Sequence, residues 1–304
     1  MFKKVMLIMA GIFLAVGLLL SASAFIFVGC DSEKLQTEIF ETKTIDITED
    51  FQKIEISGLE SDIRFIMSED GKCKVVCKES ENVFCNIFVK NGTLTVKRKD
   101  VREGLFKIGF DEKMEISVYL PKNRYETISL HTVSGDIRIP EGFYFDHLSA
   151  ETTSGNIFVR STDDRTTLLK SVSGDITVAP SGNETTSDSV RITTTSGDVT
   201  IRSVNTKMID LNTVSGDVSV DFASCDTLNI ETTSGEIDFE GLEAYEKITM
   251  TTTSGDVEGD ILSVKNFKIH TVSGEIRVPS SAGDAPVCEI HTTSGDIEIT
   301  VKQR

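Results

Sequence analysis

Tryptophan is absent from the 304 residues, and tyrosine and histidine each occur only four times. Aromatic platforms of the kind that hold sugar rings are therefore scarce, which argues against a glycan-cleaving β-helix. Positive charge is also short. Against 48 Asp+Glu stand 31 Lys+Arg, a formal net charge of −17. Such a polyanion is a poor partner for nucleic acid or an acidic membrane surface. There is no Gly-rich phosphate loop, no H-E-x-x-H and no G-x-S-x-G. The sequence thus predicts no catalytic residue, no cofactor and no metal centre. After residue 30 no segment carries a helical hydrophobic period.

A long apolar run is present at the start. Lys3 and Lys4 precede an apolar stretch from Val5 to Gly29, and Asp31 and Glu33 follow it. About 20 such residues span a bilayer. The lysines before the run place the N-terminus in the cytoplasm and the rest outside. The expectation is a single-pass signal-anchor helix within residues 1–30, then a linker over 31–37. A lipoprotein alternative stays open, because Phe27-Val28-Gly29-Cys30 resembles a lipobox with Cys30 as the lipidated residue. Release by cleavage is a third route, although the run exceeds the usual secretory length.

From residue 128 onward one phrase recurs, beginning Thr132-Val133-Ser134-Gly135-Asp136-Ile137. Its glycines are Gly135, Gly155, Gly174, Gly197, Gly216, Gly235, Gly255, Gly274 and Gly295, spaced 19 to 23 residues apart. Residues seven and five before the glycine are mostly apolar, as are those two and four after it. Each arm therefore alternates with period two and reads as a strand with one buried face. No single repeat can bury that face alone, so stacking is required. The expectation is an all-β, right-handed parallel β-solenoid of about nine coils over 128–304. Its inner rows include the Thr at −3 and the Ser at −1, and glycine supplies a positive φ at the corner. Residues 38–127 hold alternating runs without the Ser-Gly corner and read as a degenerate β-rich cap. Within them, Ile54–Ile56 and Asp62–Phe65 mimic one coil. Ala179–Asp188 and Pro279–Ala285 read as surface loops, and Ile297–Val301 as a final strand whose edge is guarded only by charge.

The residue after each glycine forms an outward acidic column: Asp136, Asn156, Asp175, Asp198, Asp217, Glu236, Asp256, Glu275 and Asp296. Carboxylates about 4.8 Å apart repel by roughly 1 kcal/mol per pair in water. A cation or a partner would relieve that repulsion, and so would the corner backbone itself. His131, His270 and His291 share an outward column, but two imidazoles without a third ligand make a weak metal site. Cys73, Cys77, Cys85, Cys225 and Cys288 read as small buried hydrophobes. A Cys73–Cys77 or Cys77–Cys85 disulfide is conceivable outside the cytoplasm.

An apolar N-terminal segment, a strand-rich start ending in Tyr119-Leu120-Pro121 and tandem T-x-S-G-[DE]-[IV] together resemble the bacterial DUF4097 family. The resemblance covers residues 40–304. It implies an adhesin-like β-strand-repeat protein of the cell envelope, with no catalytic residues to carry over. The leading functional expectation is a membrane-anchored extracellular binding or scaffold protein, with envelope proteins or wall polymers as partners. The alternatives are an accessory regulatory subunit of an envelope-stress sensing system and, behind it, a glycan-active enzyme. The sequence leaves the oligomeric state open.

Overall fold

The computed structural model describes residues 39–102, 114–161, 165–180 and 187–302. The expected anchor, the linker and Cys30 lie outside the described residues. Among those described, no helix is long and apolar enough to cross a membrane, and every regular element is a strand. The unit formed by Phe40–Arg102 and Lys113–Arg304 is the one described below; the other, Met1–Ile39 with Glu103–Glu112, falls almost entirely outside the description.

The chain enters through β1 (Glu41–Ile47), β2 (Lys53–Ser57), β3 (Asp62–Met67), β4 (Cys73–Glu79), β5 (Val83–Lys90), β6 (Thr93–Asp100) and β7 (Glu115–Leu120). Repeating pairs follow: β8 (Arg124–His131) with β9 (Ile137–Ile139), β10 (Tyr144–Glu151) with β11 (Ile157–Val159), and β12 (Thr166–Lys170) with β13 (Ile176–Val178). Next come β14 (Ser187–Thr193) with β15 (Val199–Arg202), β16 (Asn205–Asn212) with β17 (Val218–Asp221), and then β18 (Ser224–Glu231). The last are β19 (Ile237–Thr251), β20 (Val257–Ile261), β21 (Asn266–Ser273), β22 (Ile276–Arg277), β23 (Val287–Ser294) and β24 (Ile297–Val301).

Two ladders face each other. In one, the strands before the corner run β8, β10, β12, β14, β16 and β18, all parallel and in register, so that Leu148 lies beside Ile128 and Thr167. In the other, the strands after the corner run β9, β11, β13, β15 and β17 in the same way, and Ile157 lies beside Ile137 and Ile176. The long β19 serves both ladders, its first half against β17 and its second against β18. Between the ladders one apolar core runs from Ile54 to Ile299. Parallel strands buried on one face need aliphatic side chains at alternate positions, and the repeat supplies them. One column is completed by complementarity: Gly259 replaces an aliphatic because a Cβ there would stand 2.1 Å from the Phe239 carbonyl oxygen and 2.6 Å from its ring.

The fold is thus an all-β solenoid. Its nine glycine corners are separated by about eight turn-to-turn steps, where about nine coils were expected. The order of the turns departs from the expected sequence at both ends. β2 lies between β6 and β8, and β3 between β7 and β9, so the first turn of the chain is the second in the stack. At the other end, β23 inserts between β19 and β21, and β24 between β20 and β22. The final strand is therefore interior, which overturns its expected place at the edge. The outermost turn belongs to Gly274, and Pro279–Ala285 is no mere surface loop. Phe267 N–H donates to Ser281 Oγ at 2.7 Å and Ala282 N–H to the Lys265 carbonyl at 3.0 Å, closing that end. The opposite end is closed by antiparallel pairing of β5 with β6, β4 with β7 and β1 with β4.

Candidate functional site

The repeated corner is the feature shared by the nine turns from Gly135 to Gly295, and its glycine answers to close approach. None of the nine corner glycines has a positive φ, contrary to expectation. A Cβ on Gly155 would instead stand 1.9 Å from the Gly135 carbonyl oxygen, and one on Gly197 2.0 Å from that of Gly174. The same contact repeats down the stack, ending with Gly295 against Gly255 and Gly274 against Gly295. Beside each glycine sits the −3 hydroxyl. Thr194 Oγ1 accepts the Gly197 N–H at 3.2 Å, and Thr152 and Thr252 accept their own glycine's N–H at 3.1 Å. Thr152 and Thr252 also donate to the glycine carbonyl one turn away, each at 3.3 Å. Buried backbone groups that the strand ladders leave over are satisfied in this way.

The −1 serines do not join this inner row. Ser134, Ser154, Ser196, Ser215 and Ser234 are all exposed, as are Val133, Val172 and Val214 one position earlier. Two consecutive outward residues thus precede the inward glycine. This is how the chain changes parity without losing the core. The outcome is a continuous edge on which Val or Thr and Ser recur at each of the nine glycine turns, followed by an acidic residue in all but the one that carries Asn156.

The acidic column sits on this edge and supplies its own bonding. Asp217 N–H donates to Asp198 Oδ1, and Glu236 N–H to Asp217 Oδ1, both at 2.9 Å. The chain of such bonds starts with Asp62 accepting from Asp136 and passes through Asn156, Asp175 and Asp198. It resumes from Asp256 to Asp296 and from Asp296 to Glu275. Asn156 serves as well as aspartate, accepting the Asp175 N–H at 2.9 Å, so the bond needs a side-chain carbonyl oxygen and not a charge.

The charge remains as an excess. Arg138 pairs with Asp136 and Arg277 with Glu275. Among the described residues, Asp175, Asp198, Asp217, Glu236 and Asp256 have no ion-pair partner. The Asp217 carboxylate, followed by burial and by Asp238, Asp256 and Glu258, holds the Glu236 carboxyl above its ordinary range. Burial raises Asp238 too, with Asp217 and Asp221 adding to it.

Other outward groups are spread along the stack. His270 and His291 are neighbours, with ring centroids 6.0 Å apart, whereas His131 stands 4.0 Å from Glu151. A shallow depression of about 350 Å³ on the first ladder is lined by Thr127, His147, Thr166 and Arg191 among others, and no carboxylate lines it. Paired acid and base groups of the kind glycosidases need are therefore absent from this depression.

All five described cysteines are buried free thiols. Burial pushes Cys73, Cys225 and Cys288 up to about 12. Cys77 and Cys85 are brought together with Glu79, and Cys73 is not part of that group. The buried Arg98 beside them was missed, although it shares strand parity with Leu94 and Val96 and so had to face inward. Buried Lys265 was missed as well; its Nζ donates to the Ala244 carbonyl and, at 2.9 Å, to Ser263 Oγ.

Among solved structures, a candidate lipid-binding protein from Parabacteroides distasonis superposes with a TM-score of 0.55 at 16% identity, covering 87% of this chain and 99% of that one. A candidate adhesin from Parabacteroides merdae gives 0.51 at 15% identity, covering 86% and 96%. At such identities the likeness is one of fold. No curated protein matches the chain. The profile of the Toastrack DUF4097 family matches residues 51–238 and 183–304. With most of the chain matched, and with the T-x-S-G-[DE]-[IV] corner explained turn by turn, the protein belongs to the Toastrack DUF4097 family.

Proposed function

We propose that this chain is a non-catalytic binding or scaffold protein of adhesin type. In this reading the apolar segment Val5–Gly29 tethers it to the bacterial cell membrane, and the solenoid stands outside. One observation carries the proposal: the outward edge repeats the same Val/Thr, Ser and acidic residue at turn after turn. Catalytic sites gather unlike groups at one point, whereas a repeated edge suits an extended or repetitive partner. The unpaired carboxylates from Asp175 to Asp256 favour a partner rich in cationic or hydrogen-bond-donating groups, among envelope proteins or wall polymers, and disfavour nucleic acid.

The test is crosslinking in cells with the full-length protein, followed by mass spectrometry of what is captured. The proposal expects wall polymer or surface proteins, retained when Val5–Gly29 is exchanged for an unrelated membrane helix and lost when the solenoid is deleted. Capture of a membrane kinase or transporter that vanishes with the helix exchange would instead assign a regulatory subunit. High salt should weaken capture if the acidic edge makes the contact.

A further inference from the structure

The N-terminal end of the solenoid lacks the Thr–Gly corner, so its two ladders must be joined there by other means. β4 belongs to the ladder of β3 and β7, and β5 to that of β6. The chain crosses between them in the short turn after Glu79, where Val83 N–H donates to Ser80 Oγ at 3.0 Å. On either side of this crossing stand Cys77 and Cys85, 1% and 6% exposed. Their sulfur atoms and a Glu79 carboxylate oxygen all lie within 4.8 Å of one another.

The surroundings favour thiol chemistry over metal ligation. Glu79 already uses both oxygens: Oε1 accepts the Cys85 N–H at 2.9 Å, and Oε2 accepts from Lys43 Nζ at 3.0 Å. Arg98 lies directly across from Cys85 in the β5–β6 pairing. Its side chain is 6% exposed. Nη2 donates to Met114 Sδ at 3.0 Å, while buried Nη1 has no hydrogen-bond partner among the described residues. A buried guanidinium with an unused donor needs a nearby anion, and a thiolate provides one. The Cys77 thiol, hydrogen-bonded to Cys85, is raised by that bond, by burial and by Glu79. Cys85 is lowered, first by the same bond and then by Arg98 and Lys43, against burial and Glu79.

We propose that Cys77 and Cys85 are a dithiol–disulfide pair that staples the two ladders at the N-terminal end. The oxidant is a small disulfide of the glutathione class, met where exported chains become oxidised. The Cys85 thiolate attacks one sulfur of that disulfide, forms a mixed disulfide and expels one thiolate. Cys77 gives its proton to the departing thiolate and attacks Cys85 Sγ, and the second oxidant thiolate leaves. Two electrons pass to the oxidant, whose one disulfide becomes one thiol, carrying the Cys77 proton, and one thiolate, which takes from solvent the proton that Cys85 had released to it. Arg98 acts as a positioning residue by stabilising the attacking thiolate.

The experiment incubates the full-length protein in detergent with oxidised glutathione, both when native and during refolding from the reduced, unfolded state. Free thiols are then alkylated with N-ethylmaleimide and the peptides mapped. Two of the six cysteines should lose their maleimide label, and the Cys77 and Cys85 peptides should appear joined. The oxidised form should melt about 5 °C higher than the reduced one. Cys85→Ser should abolish the bond, and Cys73→Ser should leave it intact. Arg98→Gln should slow closure roughly tenfold near neutral pH and shift its pH profile upward. If that variant does not fold, a wild-type closure rate that half-saturates below the ordinary thiol range carries the same point. A bond formed elsewhere, a persistent glutathione adduct, full alkylation of both cysteines after either treatment, or protection of both by zinc without oxidant would each overturn the proposal.

Discussion

In the middle of the solenoid, from Gly135 to Gly255, the order of turns along the chain is the order in the stack. At the two ends it is not. The middle repeats one solution: an aliphatic column, a threonine bonding the glycine and a glycine seated on the carbonyl below. Each turn there depends only on its neighbours, as in other quasi-one-dimensional folds. At the N-terminal end the chain lays down the interior β2–β3 first and then runs out to β6–β7, whereas at the C-terminal end it runs out to β21–β22 and returns to the interior β23–β24. The difference teaches that periodic stacking can be extended by local rules, whereas ending it needs contacts between segments that are not consecutive. A terminal strand held between two others is also removed from the sheet edge, where open strands invite unwanted pairing.

The most severe way to break this comparison is to delete residues 286–304. That removes β23–β24 and leaves β21–β22 without the neighbours they pair with. The remaining terminal turn, β21–β22, should lose protection, with limited proteolysis cutting back to about Ile261, while the middle survives. Direct docking of β21–β22 onto β19 and β20 would show that the interleaving is dispensable.

A smaller disturbance contrasts single glycines. Gly197→Ala puts a Cβ 2.0 Å from the Gly174 carbonyl in a turn held on both sides. The expected cost is more than about 3 kcal/mol in denaturant unfolding. Gly274→Ala meets the Gly295 oxygen at the same 2.0 Å, but its turn is outermost and can shift, so about 1 kcal/mol is expected. Removing hydroxyls should follow the same pattern. Thr194→Val strands the buried Gly197 N–H and should cost about 1–3 kcal/mol, whereas Thr271→Val, in the half-exposed terminal turn, should cost roughly 0.5 kcal/mol or less.

The mildest change concerns charge. Asp217→Asn keeps the acceptor for the Glu236 N–H, as Asn156 does for Asp175, and removes the main cause of the raised Glu236 carboxyl. A raised acid holds more protons in the folded than in the unfolded state, so its neighbourhood loses stability as pH rises through the carboxylate range. The variant should therefore melt slightly higher than wild type near pH 7. The gain should close as pH falls and Glu236 becomes protonated, which melting scans across pH would register.

Much of this was legible in the sequence because the repeat samples each environment many times. Alternation at −7, −5, +2 and +4 specified strands, and the −3 threonine pointed to a buried hydroxyl row. The −1 serines misled because strict period two extends through a corner that breaks it. The glycine's purpose misled for a related reason: composition cannot distinguish a need for positive φ from a need to admit a carbonyl oxygen. Arg98 escaped notice because a charged residue on an inward parity is readable only if the strand is trusted over the charge.

By itself the sequence determined that this protein is a stacked, all-β repeat with an acidic outward column, since a motif recurring at 19 to 23 residues leaves few other ways to bury its apolar face. Only the tertiary structure decided which turn lies against which at the ends. The repeats are nearly alike, so several stacking orders satisfy the same local pattern. The choice among them rests on pairings between distant strands: β2 with β8 and β3 with β9 at one end, β19 with β23 and β20 with β24 at the other.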